Sequence, residues 1–99
     1  MARMIVGTAW IDLYLPGVSS LKEKRGILKS LIAQITKKFN VSAAEVDLHD
    51  VWQSAAIGLS VVSTNSGHAE AMLDNIAGWI ERNRPDIDII EHHIEVIYV

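Results

Sequence analysis

Four histidines and twelve acidic residues are the groups with which this chain could do proton or metal chemistry, and there is no cysteine. Their spacing argues against both. His92 and His93 are adjacent, and on a strand adjacent side chains point to opposite faces, so they cannot share one ion. Neither these two nor His49 and His68 are joined by the cysteines or spaced carboxylates of a zinc site. Asp47, His49 and Asp50 crowd one short segment. A hairpin tip is usually open to water, so they read as polar residues that fix a turn. Gly17 stands without the other glycines of a phosphate loop. The residue types thus predict no catalytic group, no metal and no cofactor.

Two constellations remain, and both concern binding. Lys22, Lys24, Arg25 and Lys29 form a basic run just inside a helix start. Cations there oppose the helix dipole, so local stability does not explain them. With the free N–H groups of the first turn they make a candidate anion or RNA phosphate site, set against the plainer reading of a solvated helix face. The second is aromatic. Trp10, Tyr14 and Trp52, with Ile94, Val96 and Tyr98 of the last strand, form a candidate partner surface. Exposed aromatics on a sheet also stack bases in some nucleic-acid-binding domains.

The elements that must position these groups follow from hydrophobic period. From Met4 to Leu15 the odd positions Ile5, Ala9, Ile11, Leu13 and Leu15 are small or aliphatic, while Thr8, Trp10, Asp12 and Tyr14 alternate with them. This is a strand with one packed face, ended by Pro16-Gly17. Ser20 and Glu23 have capping-box spacing. Leu21, Leu28, Leu31, Ile32, Ile35 and Phe39 then recur at helical spacing, with Gly26 inside the helix and Asn40 at its end. A second strand spans Val41 to His49, with Ala44, Val46 and Leu48 expected inward and Glu45, Asp47 and His49 outward. A third spans Trp52 to Ser63, with Ala55, Ile57, Leu59 and Val61 inward. Asn65 or Ser66 caps a second helix carrying Ala69, Met72, Leu73, Ile76 and Ile80 on its buried stripe, and Pro85 ends it. The apolar segment Ile87 to Val99 is a fourth strand.

The order β-α-β-β-α-β predicts an α+β, ferredoxin-like sandwich. Right-handed crossovers then set the strand order 4-1-3-2, with both helices on one face. The 99 residues are expected to form a single domain, 1–99. The longest nearly uncharged run, Met4 to Val18, contains Asp12, Pro16 and Gly17 and is too short to span a bilayer. No signal peptide is evident, so the expected location is the cytoplasm, with no membrane partner. A net charge of −3 gives no overall attraction to nucleic acid, and DNA is not expected as a partner. With 49% apolar residues in so short a chain, some apolar surface is left for another molecule. The last strand lies at a sheet edge, and from Ile89 to Val99 it has no lysine or proline to block pairing. A homodimer is therefore expected.

Three stretches resemble a known family: Ser20 to Arg25 continuing through Leu28-Lys29-Ser30-Leu31, Asn40 to Ser42 with Ala44 to Asp47, and Asp50 to Gln53. Together they make the chain similar to the YlxP-like family of small bacterial proteins, a domain of unknown function. The resemblance covers essentially the whole chain. It implies a ferredoxin-like fold and no established enzyme activity. Family members are often encoded beside translation-initiation and ribosome-maturation genes, which implies a protein or RNA partner of the translation apparatus. Taken together, the sequence points to a non-enzymatic, self-associating interaction module, with a small-ligand (amino-acid-like) sensing module or a weak RNA-binding protein as alternatives. Acylphosphatases share the topology, but Leu15 to Ser20 lacks their glycine-rich loop and catalytic arginine.

Overall fold

A computed structural model describes residues 3–99. Its elements are β1 (Ile5–Tyr14), α1 (Leu21–Lys38), β2 (Ser42–Asp47), β3 (Ser54–Ser63), α2 (Ser66–Asn83) and β4 (Asp88–Tyr98). The four strands pair antiparallel in the order β2-β3-β1-β4, which is the expected 4-1-3-2 order. Among the described residues no helix is long and apolar enough to cross a membrane.

Both helices cover the same face of the sheet. Ala9, Ile11 and Leu13 of β1 and Ala55, Ile57, Leu59 and Val61 of β3 are buried there against Leu28, Leu31 and Ile35 of α1 and Leu73, Ile76 and Ile80 of α2, and Ile5 is buried at the start of β1. Helix α2 approaches closely because β1 carries Gly7 at a packed position. A Cβ there would stand 3.1 Å from Ala69 Cβ and 3.2 Å from Leu73 Cδ1, so glycine lets α2 lie nearly on the backbone. The rings of Phe39 and Trp79 meet edge-on, with centroids 6.3 Å apart, and join the end of α1 to α2.

The caps work as their residue types require. Ser20 Oγ accepts from Glu23 N–H at 3.1 Å. The reciprocal contact is displaced by one residue, because the Glu23 carboxylate accepts from Ser19 N–H and Ser19 O–H rather than from Ser20. For α2 the cap is Asn65, whose Oδ1 accepts from His68 N–H at 2.9 Å. At its far end Arg84 binds Asp86 and reaches across to Gln34 of α1 at 2.8 Å. The Arg84 guanidinium holds the Asp86 carboxyl below its ordinary range.

The expected facing of β2 is overturned. Ala43 and Glu45, not Ala44, Val46 and Leu48, lie on the helix side, since they pair with Leu59 and Ile57 of the packed face. Val46 turns outward at a bulge between Glu45 and Asp47 and covers Gly58 of β3. Leu48 lies beyond the strand, in the hairpin turn. The physical reason is a buried cation on α1, described below.

Two substitutions test this packing. Gly26 is exposed on α1, with nothing within 4 Å of where a Cβ would sit. Gly26→Ala should therefore raise unfolding stability by about 0.5–1 kcal/mol in a urea titration. Leu59→Ala opens a cavity at a site that is 2% exposed and should lower stability by about 2–5 kcal/mol.

Candidate functional site

The basic run does not stay together. Lys22, Arg25 and Lys29 are exposed along one side of α1, as their i, i+3, i+7 spacing requires. Lys24 is removed from that patch: it is 1% exposed and is the one buried charged residue among those described. It lies four, seven and eleven positions before Leu28, Leu31 and Ile35 and so falls on the packed stripe. Its ammonium donates to the carbonyl of Leu48 and stands 3.1 Å from Glu45 Oε2. That oxygen makes no hydrogen bond of its own, so the contact is Coulombic. Burying an ammonium without a carboxylate and an acceptor would be costly, and this need draws Glu45 inward. Leu48 adopts a left-handed φ of 62°, which side chains other than glycine rarely hold. Its carbonyl then receives both Lys24 and the N–H of Val51. Lys24 thus works as a clamp between α1 and the β2–β3 hairpin.

The anion site is further weakened at the helix start. Ser20 and the Glu23 carboxylate already satisfy groups there, and the carboxylate brings a negative charge to the first turn.

The sheet face opposite the helices is uncovered, and its side chains form rows across the strands. Directly paired residues share a face. One row is Val62, Val6 and Ile97; the next is Ser42, Ser60, Thr8 and Glu95; the third is Ala44, Gly58, Trp10 and His93. Below them run Asp47, Ala56, Asp12 and Glu91, then Ser54, Tyr14 and Asp88. Trp10 is 42% exposed and Tyr14 39%. Trp10 Nε1 donates to Asp12 at 3.0 Å, which fixes the tilt of the indole. Val46 fills the space over Gly58, and beside it runs an open groove of about 470 Å³, with Trp10 and Val46 among its walls and Glu95 and His93 alongside.

The expected partner surface divides in two. Trp10 and Tyr14 lie on the open face, and Trp52 is exposed in the turn two residues ahead of β3. Ile94, Val96 and Tyr98 do not join them, because they pair with Ala9, Gly7 and Ile5 and so lie on the helix side. Ile97, which the sequence reading did not single out, pairs with Val6 and so lies on the open face. His92 and His93 fall on opposite faces, beside Ile11 and Trp10. Aromatics and exposed cations are likewise on opposite sides of the sheet, so they do not form one site for a short RNA strand.

A βαββαβ sandwich with one bare sheet face defines a ferredoxin-like domain. The chain belongs to the family described as "Protein of unknown function (DUF503)", whose model matches residues 6–94. It is 32% identical over 84 residues to the uncharacterized protein YlxP of Bacillus subtilis (strain 168), covering 85% of this chain and 90% of that one. Among solved structures it is similar to the de novo designed protein Foldit4, with a TM-score of 0.53, 11% identity and coverage of 95% and 96% of the two chains. It is also similar to a C-terminal segment of the alpha subunit of aIF2 from Pyrococcus abyssi, with a TM-score of 0.51 and 14% identity, covering 97% of this chain and 51% of that one. At these identities the structural likenesses speak to the fold alone.

The clamp separates two neighbouring lysines. Lys24→Met should cost about 1–3 kcal/mol, because it leaves the buried Glu45 oxygen without its cation and takes one of two donors from the Leu48 carbonyl. Lys22→Met should change stability by less than about 0.5 kcal/mol. Urea unfolding of both variants checks this, and equal effects would contradict the assignment.

Proposed function

We propose that the protein is a non-enzymatic interaction module that self-associates through the free edge of β4. The observation that carries this reading is the edge itself: an 11-residue strand, unpaired on one side among the described residues and without lysine or proline.

Backbone alternation says which groups it offers. The N–H of Val99 bonds to the carbonyl of Met4. In an antiparallel ladder the groups of alternate residues point the same way, so Ile97, Glu95 and His93 also turn theirs toward β1. His92, Ile94, Val96 and Tyr98 turn theirs outward. The outward residues Ile94, Val96 and Tyr98 therefore act through their backbone, while their side chains lie on the helix side.

A symmetric pair of β4 strands joins two sheets into one. With the two-fold at Ile94, His93 lies opposite Glu95 of the second copy. With the two-fold at His93, Glu91 would oppose Glu95, and like charges so placed are unfavourable. A two-fold at His92 would set the bulged segment around Ile90 close to the axis, in the middle of the ladder. Pairing about Ile94 avoids the like-charge contact and leaves Ile90 only at the end of the ladder, opposite Tyr98 of the second copy.

The family resemblance supports a place for such a module near translation or ribosome maturation. Thermal shifts with free amino acids would instead favour a small-ligand sensor using the groove between Val46 and Trp10.

Sedimentation at high micromolar concentration should give twice the chain mass of 11.0 kDa, and a clean monomer would refute the dimer. His92→Pro removes an outward N–H while sparing the β1 ladder, the place where a strand tolerates proline. It should yield a folded monomer.

A further inference from the structure

The open sheet face carries charge of one sign. Asp12, Asp47, Asp88, Glu91 and Glu95, five of the chain's 12 acidic residues, lie in its rows, and none of the 9 lysines and arginines does. Eight of those nine cations belong to the helices and the end of α2, and Arg3 stacks on Tyr98, whose side chain lies on the helix side. Trp10 and Tyr14 lie among the carboxylates, and Val62 and Ile97 in the row beyond Glu95; all four are exposed.

We propose that this face is the docking site for an arginine-bearing, otherwise aliphatic segment of a basic protein. A guanidinium entering the groove between Val46 and Trp10 meets the indole, and arginine binds aromatic faces well. Glu95 lies beside the groove, and Asp12 and Glu91 adjoin Trp10 on the other side. The indole is already tethered to Asp12, so little order is lost when the partner arrives. Val6, Val62 and Ile97 form an apolar row at one end for the aliphatic positions.

Charge selects against the other occupants. A second copy placed face to face would oppose five carboxylates with five more, and a nucleic acid would bring phosphates to them. The proposal rests on the interaction-module reading but not on the β4 dimer, whose edge leaves this face free.

The test uses a fluorescent peptide alternating arginine with leucine, titrated into the full chain at low and high salt. Glutamate–leucine and glutamine–leucine peptides serve as comparisons. Wild type should bind the arginine peptide at least about tenfold more tightly than either, with affinity falling as salt rises. D12K/E91K should weaken binding about tenfold or more. E70K/E81K, which changes net charge equally on exposed positions of α2, should leave the site intact and lose far less. Trp10→Ala removes a groove wall without altering charge and should also weaken binding, which keeps the test decisive if D12K/E91K fails to fold. Equal loss in D12K/E91K and E70K/E81K, unchanged binding by Trp10→Ala, or no preference for the arginine peptide would overturn the proposal. The sedimentation result is read separately, so loss of the dimer and loss of the docking site are distinguishable.

Discussion

Two helices can cover one face of a four-stranded sheet and no more, and this constraint organises the protein. The packed face takes the aliphatic positions of β1 and β3, with glycine at position 7 so that α2 can lie close. Everything on the other face must answer to water or to a partner. Serine, threonine and carboxylates answer to water. Trp10, Val62 and Ile97 do not, and their place among the carboxylates gives the surface its chemical character.

The edge strands are managed differently. β2 is short, bulged and tied to α1 by Lys24, so a single buried ammonium decides which way its residues face. Buried charges are more often costly than stabilising against an apolar substitute. Here the cation also holds the carbonyl of a left-handed Leu48, so the hairpin and the helix are positioned together. β4 has no comparable cover. Its length and free backbone groups make it the natural place for a second strand to add.

β1 and β3 were legible in the sequence because alternation there is strict, and the helices because each has a capping residue and an apolar stripe. β2 was misread for a physical reason: both of its parities contain small or apolar residues, and the deciding interaction is a lysine twenty-one positions away from its glutamate partner. The signal was present, since Lys24 precedes Leu28, Leu31 and Ile35 at helical spacing. Its basic neighbours hid it. In β4 both parities are again apolar, with Ile90, Ile94, Val96, Ile97 and Tyr98, and a bulge shifts the phase near Asp12. Assigning its faces needs the register, which alternation alone does not supply. The aromatic part of the candidate site was visible as Trp10 and Tyr14. The one-sided acidity was not, because it gathers residues from β1, β2 and β4 that only the pairing brings side by side.

The open face must be free in the assembled protein if it is to dock a partner, and the absence of cysteine from the chain makes that directly measurable. Single cysteines introduced by Ala43→Cys and Ala44→Cys sit next to each other in β2 on opposite faces. The reaction rate of each thiol with a maleimide reagent, followed across protein concentrations that span self-association, reads both faces at once. The account predicts fast, concentration-independent labelling at position 44 and slow labelling at position 43. Slow labelling at 44, or a rate there that falls as the protein is concentrated, would show the face to be covered and would contradict it.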